Sequence, residues 1–217
     1  MEFEVVDLGL IEYSRALSFQ KKTLQDTLAG ERSATLITCR HFPVITLGRT
    51  ASLHNIVAPT EALQARNIKV IETERGGDVT YHGPGQLTIY PIINLNYFKK
   101  DIHWYLRTLE EIIIALLSDF GLQADRPNNL TGVWLNDKKI CSIGISIKRW
   151  ITFHGLSINL HHHDLENFRL IRPCGLAKVM TSLETELGRS VEHAIIMQRF
   201  SHLFQALTSK FPERQNA

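Results

Sequence analysis

Three cysteines, Cys39, Cys141 and Cys174, offer side chains able to act both as a strong nucleophile and as a covalent acyl carrier. Cys174 has the most suggestive surroundings. Pro173 precedes it, Gly175 follows it, Arg172 stands nearby, and no apolar periodicity runs through the stretch, so its thiol is expected on a rigid turn. Cys39 falls in a run that reads as a buried strand. A thiol with a pKa of about 8.5 is only about 3% thiolate at pH 7, so a reactive one needs a cation or base beside it. Lys139 is a candidate. It opens an apolar run in which Lys139, Cys141 and Ile143 occupy alternate positions and are expected to share one strand face, with an ammonium and a second thiol towards the same space. From the residues alone, an exposed lysine at a strand end and a structural thiol account for the same letters.

The second unusual stretch is Arg75-Gly-Gly-Asp-Val-Thr-Tyr-His-Gly-Pro-Gly-Gln-Leu87, between apolar runs ending at Ile71 and beginning at Leu87. Glycine lets a ligand approach the main chain and proline fixes a dihedral, so the stretch is expected to be a shaped binding loop carrying polar side chains. It has neither the dinucleotide-binding spacing nor the lysine-threonine ending of a P-loop, and a strand pattern follows it. His161-His162-His163-Asp164 could suggest a metal, but adjacent histidines on a strand point to opposite faces, and a solvated loop is the simpler reading. No metal site is expected.

These residues need a scaffold. With 217 residues, no Gly/Ser-rich linker and no internal repeat, a single domain spanning 1–217 is expected, large enough to bury a core. A net charge of +2 with acids and bases interspersed gives no nucleic-acid footprint. The first residues lack the pattern of a secretory signal, no apolar run is long enough to cross a membrane, and the unpaired cysteine count suits a reducing compartment, so a soluble cytoplasmic protein is expected.

The apolar patterns predict a strand at the start, an exposed helix from Ile11 to Leu28, strands Ala34 to Thr38 and Val44 to Leu47, a short helix from Thr60 and a strand from Ile68. Leu87 to Leu95 reads as a strand in which Pro91 implies an edge or a bulge. Ile102 to Phe120 is the clearest helix, capped by Asp101 and stopped by Gly121. Asn136-Asp137 marks a hairpin, Ile151 to Leu160 a further antiparallel strand, and a last helix begins near Glu192. Without regular β-α alternation, the expected class is α+β, with a mixed or antiparallel sheet and flanking helices.

Taken in order, His41-Phe-Pro-Val-Ile-Thr-Leu-Gly-Arg49, the stretch from Arg75 to Leu87, Lys139-Ile-Cys-Ser-Ile-Gly144, Phe153-His-Gly-Leu-Ser-Ile-Asn159, Pro173-Cys-Gly175 and Thr181-Ser-Leu183 resemble the signatures of the octanoyltransferases of lipoate biosynthesis. The resemblance implies the fold of the biotin and lipoate protein ligase catalytic domain. It implies transfer of an octanoyl group from octanoyl-acyl carrier protein to a lysine of the lipoyl domains of 2-oxoacid dehydrogenase complexes and of the glycine cleavage H protein. Cys174 would carry the thioester and Lys139 would lower the thiol pKa and handle protons. The donor carries its own phosphopantetheine, so no further cofactor is implied, and a monomer is expected.

By the same resemblance, substrate lies against Arg75, Gly76, Gly77, Asp78, Val79, Thr80, Tyr81 and His82, against Ser142, Ile143 and Gly144, and against Gly155, Leu156 and Ser157. The run after Asn159 is about one residue longer than the family pattern, and Cys141 stands where small residues are common. The rival readings are an ATP-dependent lipoate or biotin protein ligase, a cysteine thioesterase, and a catalytically silent acyl-binding or carrier-binding module.

Overall fold

The computed structural model describes residues 3–32, 34–128, 130–172 and 179–208. The first strand, β1 (Phe3–Ile11), leads through helix α1 (Tyr13–Leu28) into β2 (Ala34–His41), which pairs with β1 in parallel. A short strand β3 (Val44–Leu47), helix α2 (Thr60–Ala65) and strand β4 (Lys69–Glu72) follow, and β3 pairs in parallel with β4. The glycine-rich stretch contains a strand of its own, β5 (Val79–His82), antiparallel to β3. This corrects the expectation of one long loop: Val79, Thr80 and Tyr81 are strand formers, and the flanking glycines bend the chain into and out of them.

The larger sheet is completed by β6 (Gln86–Ile92) and, after helix α3 (Ile102–Ser118), by β7 (Val133–Leu135), β8 (Lys138–Lys148) and β9 (Ile151–Asn159). Its order is β1-β2-β6-β9-β8-β7, beside the smaller β4-β3-β5 sheet. Both are mixed, and helices α4 (Leu183–Leu187) and α5 (His193–Thr208) end the described chain. Asp101 caps α3, its carboxylate accepting from Trp104 N at 3.0 Å. No helix among the described residues is long and apolar enough to cross a membrane.

The main core fills the space between one face of the large sheet and helices α3 and α5. A second cluster forms where α1 covers the opposite face, with Ala16 and Leu24 against Ile37, Tyr90, Ile92 and Phe153. The expectation of an exposed α1 therefore fails on one side. Its inward face includes Gln20, Thr23 and Thr27, and the two threonine hydroxyls donate to carbonyls one turn back. A third cluster lies under the small sheet, around Ile45, Leu63, Tyr81 and Phe168.

Pro91 lies between two neighbours in the large sheet, not on an edge. The irregularity it demands appears in β9, where His154 adopts φ 57°. The Thr152 hydroxyl donates to Pro91 O at 2.7 Å and accepts from Ile93 N at 3.1 Å. Gly155 follows because a Cβ there would meet Ile89 O at 2.1 Å.

Candidate active site

A cavity of about 240 Å³ lies where the small sheet meets the α1 side of the large one. Its floor comes from Ser142, Ile143 and Gly144 of β8 and from His154, Gly155, Leu156 and Ser157 of β9. Arg75, Gly76, Gly77, Asp78, Val79, Thr80 and His82 form a wall, and Lys139 faces the same space. Tyr81 does not line it. Alternation along β5 turns that ring into the core under the small sheet, edge-on to Phe168, where its hydroxyl accepts from Asn167 Nδ2 at 3.0 Å. Sequence reasoning missed Tyr13, Thr88, Tyr90, Leu130, Thr131 and Met180, which also line the cavity. Thr88 and Tyr90 share a face with Gln86 by strand alternation, a legible signal. Tyr13, from the start of α1, arrives only through tertiary packing.

The glycine-rich wall is clamped from both sides. Arg49 N donates to Arg75 O at 3.0 Å and Thr50 N to Gly77 O at 3.2 Å, while Gly76 N reaches across to Ile145 O on β8 at 2.7 Å. Gly48 permits this closeness, since a Cβ there would lie 2.2 Å from Gly77 O. Arg75 is 7% exposed, and its guanidinium is engaged inside the protein. Nε and Nη2 donate to Thr46 Oγ1 at 3.0 and 2.9 Å, Nη2 also to Thr46 O at 2.6 Å, and Nη1 to Gly76 O at 3.0 Å. Arg75 thus braces the wall through Thr46 and Gly76. Asp78 accepts from Asn55 Nδ2 at 2.6 Å.

Two imidazoles reach the cavity. The Gln86 amide donates to Asn159 Oδ1 at 2.9 Å, which directs its oxygen towards Ser157 Oγ and His82 Nδ1. That orientation makes His82 Nδ1 the protonated nitrogen. Burial, then the nearby His41 and Arg75, hold the His82 pKa well below the usual imidazole value. Burial, with Arg75 contributing, lowers that of His154 to about 3. Behind them His41, fully buried at the end of β2, accepts from the Tyr90 hydroxyl at 2.7 Å and bonds Ile11 O through Nδ1. At neutral pH these three rings are uncharged hydrogen-bonding groups.

At the other side of the site, Lys139 is held by its main chain: its N donates to Val179 O at 2.9 Å and its O accepts from Thr181 N at 3.0 Å. Its Nζ donates to Thr131 O at 2.9 Å and lies 4.6 Å from the Trp134 ring centre. Cys141 does not share this face. The β7–β8 register shifts between Val133 and Trp134, so the alternation breaks at Ile140. The Cys141 thiol turns into the main core, where burial pushes its pKa to about 12. Cys174 lies outside the described residues. Arg172 N donates to Asn55 O at 2.8 Å.

Among the described residues no group of His, Cys, Asp and Glu is placed to hold a metal. His162 instead lies 2.7 Å from Glu184 at an exposed loop.

The lipoyl protein ligase A/B catalytic domain model matches residues 12–205. An octanoyltransferase from Clostridium kluyveri is 39% identical over 91% of this chain and 84% of that protein. One from Solibacter usitatus is 42% identical over 91% and 89%. Among solved structures, lipoate-protein ligase A bound with ATP superposes with a TM-score of 0.80 at 15% identity, covering 100% of this chain and 89% of that one. The biotin protein ligase of Aquifex aeolicus with biotin and ATP gives 0.62 at 12%, covering 98% and 73%. At such identities these structures speak for the fold alone.

Proposed function

We propose a two-step acyl transfer for this chain, which belongs to the octanoyltransferases within the lipoyl protein ligase A/B catalytic family. The enzyme is an acyltransferase of protein lipoylation, and it moves an octanoyl group. In the proposed first step the Cys174 thiolate attacks the thioester carbonyl of octanoyl-acyl carrier protein. A new Sγ–C bond forms, the bond to the phosphopantetheine sulfur breaks, and the departing thiolate takes a proton from the Lys139 ammonium. In the second, the ε-amine of a lipoyl-domain lysine attacks, its surplus proton passes to Lys139, and Cys174 leaves as thiolate. Thioester exchange is nearly thermoneutral and the product amide is more stable, so the sequence of steps needs no nucleotide.

The observation that carries this reading is that Lys139 faces the same cavity as the glycine-rich wall and the backbone of β8 and β9. Ile143, Leu156, Val79, Leu130 and Met180 supply apolar surface for the acyl tail. The acceptors are the lipoyl domains of 2-oxoacid dehydrogenases and the glycine cleavage H protein, and the setting is the cytoplasm.

The test is to incubate the protein with octanoyl-acyl carrier protein and an apo lipoyl domain, with and without ATP, and to follow masses. The expected result is an octanoyl adduct on Cys174 and an ATP-independent gain on the lipoyl domain. Cys174→Ala loses both, whereas Cys141→Ala keeps them. Normal turnover by Cys174→Ala overturns the assignment of the nucleophile, an ATP requirement points to a ligase, and free octanoate alone to a thioesterase.

A further inference from the structure

The carboxylate of Glu110 is buried on α3, its side chain 1% exposed, in a helix whose other buried residues are apolar apart from the Tyr105 hydroxyl. Burying a carboxylate is costly unless its oxygens are bonded. Oε2 accepts from Arg107 Nη1 at 2.7 Å, and Oε1 accepts from Gly132 N at 3.0 Å. The peptide group that presents the Gly132 N–H is the one whose carbonyl is Thr131 O, and that oxygen accepts from Lys139 Nζ. One planar, conjugated peptide therefore stands between a buried carboxylate and the ammonium in the cavity.

Gly132 fits this position for two reasons. It adopts φ 128°, and a Cβ there would fall 2.6 Å from Lys139 Cε and 3.0 Å from Nζ. The lysine side chain passes over the bare Cα. Among the described residues, the Cys141 thiol, which feels the charges of both Lys139 and Glu110, is kept protonated by burial.

We propose that Glu110 is a positioning residue for Lys139, fixing through the Thr131–Gly132 peptide the carbonyl on which the ammonium is docked. Accepting the peptide N–H anchors the group and makes its carbonyl a stronger acceptor, since hydrogen bonds in series polarise one another. The consequence for transfer rests on the role proposed above for Lys139; the tether itself does not.

The test follows the titration of Lys139 by NMR of protein carrying 13C at lysine Cε, the signal being assigned by its absence in Lys139→Ala. Glu110→Gln keeps an acceptor oxygen and removes the charge. It is expected to move the Lys139 midpoint down by about half a pH unit or more and to lower kcat about tenfold, with KM for the octanoyl donor within about twofold. Glu110→Asp keeps the charge beside Arg107 but draws it back from Gly132, and covers the case in which the Gln variant unfolds. It is expected to lose kcat by a smaller factor. An unmoved Lys139 midpoint in Glu110→Gln, or wild-type kcat in Glu110→Asp, overturns the proposal. Wild-type transfer by Lys139→Ala would overturn the role of the lysine and leave the NMR result to judge the tether.

Discussion

Arg75 and Lys139 put positive charge on the wall of one cavity, and they are held in different ways. Each type of Arg75 nitrogen donates to Thr46 or Gly76, and a guanidinium does not give up its proton in a protein. Lys139 donates to the Thr131 carbonyl beside an indole ring, and an amine can give up its proton. The first cation shapes the wall and adds to the burial that keeps His82 and His154 neutral. The second, in the proposed transfer, carries protons. On this wall, the way a charge is bonded says more about its task than its sign does.

The comparison is broken most severely at Lys139. Lys139→Arg keeps the charge and removes the exchangeable proton, so transfer should fall about 10²–10⁴-fold in the coupled mass assay. Alkylation of Cys174 at neutral pH should survive better in this variant than in Lys139→Ala. A wild-type rate with arginine would make the two cations equivalent after all.

A smaller effect comes from the imidazoles around Arg75. Burial keeps His41, His82 and His154 neutral in the fold, with His41 at about 4 and His154 at about 3, while the unfolded chain protonates them near 6.5. Above that pH both states are neutral and nothing changes. Below it only the unfolded chain takes up protons, so stability should decline towards pH 4, by up to about 1.4 kcal/mol per pH unit for each histidine. Urea unfolding at stepped pH measures the slope. Arg75→Gln should end the decline at a higher pH, because the guanidinium contributes, after burial, to the depression of His82 and His154. Constant stability from pH 7 to 5 would mean that the rings are not held neutral.

The mildest change is Arg75→Lys. An ammonium cannot span Thr46 and Gly76 as the planar fork does, and a loss of about 1.5–3 kcal/mol is expected in thermal or chemical unfolding. Transfer should drop less than in Lys139→Arg. If it drops more, Arg75 does more than brace.

Much of this molecule could be read from its letters where the signal is local. Asp101 predicted its cap, Asn136-Asp137 its hairpin, and the motifs from Arg75, Lys139 and Phe153 the residues that meet around the cavity. What escaped depends on distant chain. The bulge that separates Lys139 from Cys141 is a matter of register with β7, and no pattern within β8 shows it. Glu110 lies on the flank of an apolar stripe where it reads as surface, and its burial appears only with Gly132 against it. Pro91 correctly signalled an irregularity, but the distortion fell on the partner strand at His154.

The bond from Gly76 N to Ile145 O, with Gly144 leaving the space that a Cβ would contest 2.9 Å from Gly76 O, joins the two sheets main chain to main chain. The residues it joins are far apart along the chain, so loop-closure entropy must be overcome before it forms, and it is expected late in folding. Until it forms, the cavity lacks a fixed wall. Whatever occupies the pocket binds the finished fold alone and draws the folding equilibrium towards it. If the octanoyl group lies there, as proposed, it is in that sense a ligand of folding as well as the cargo of the reaction.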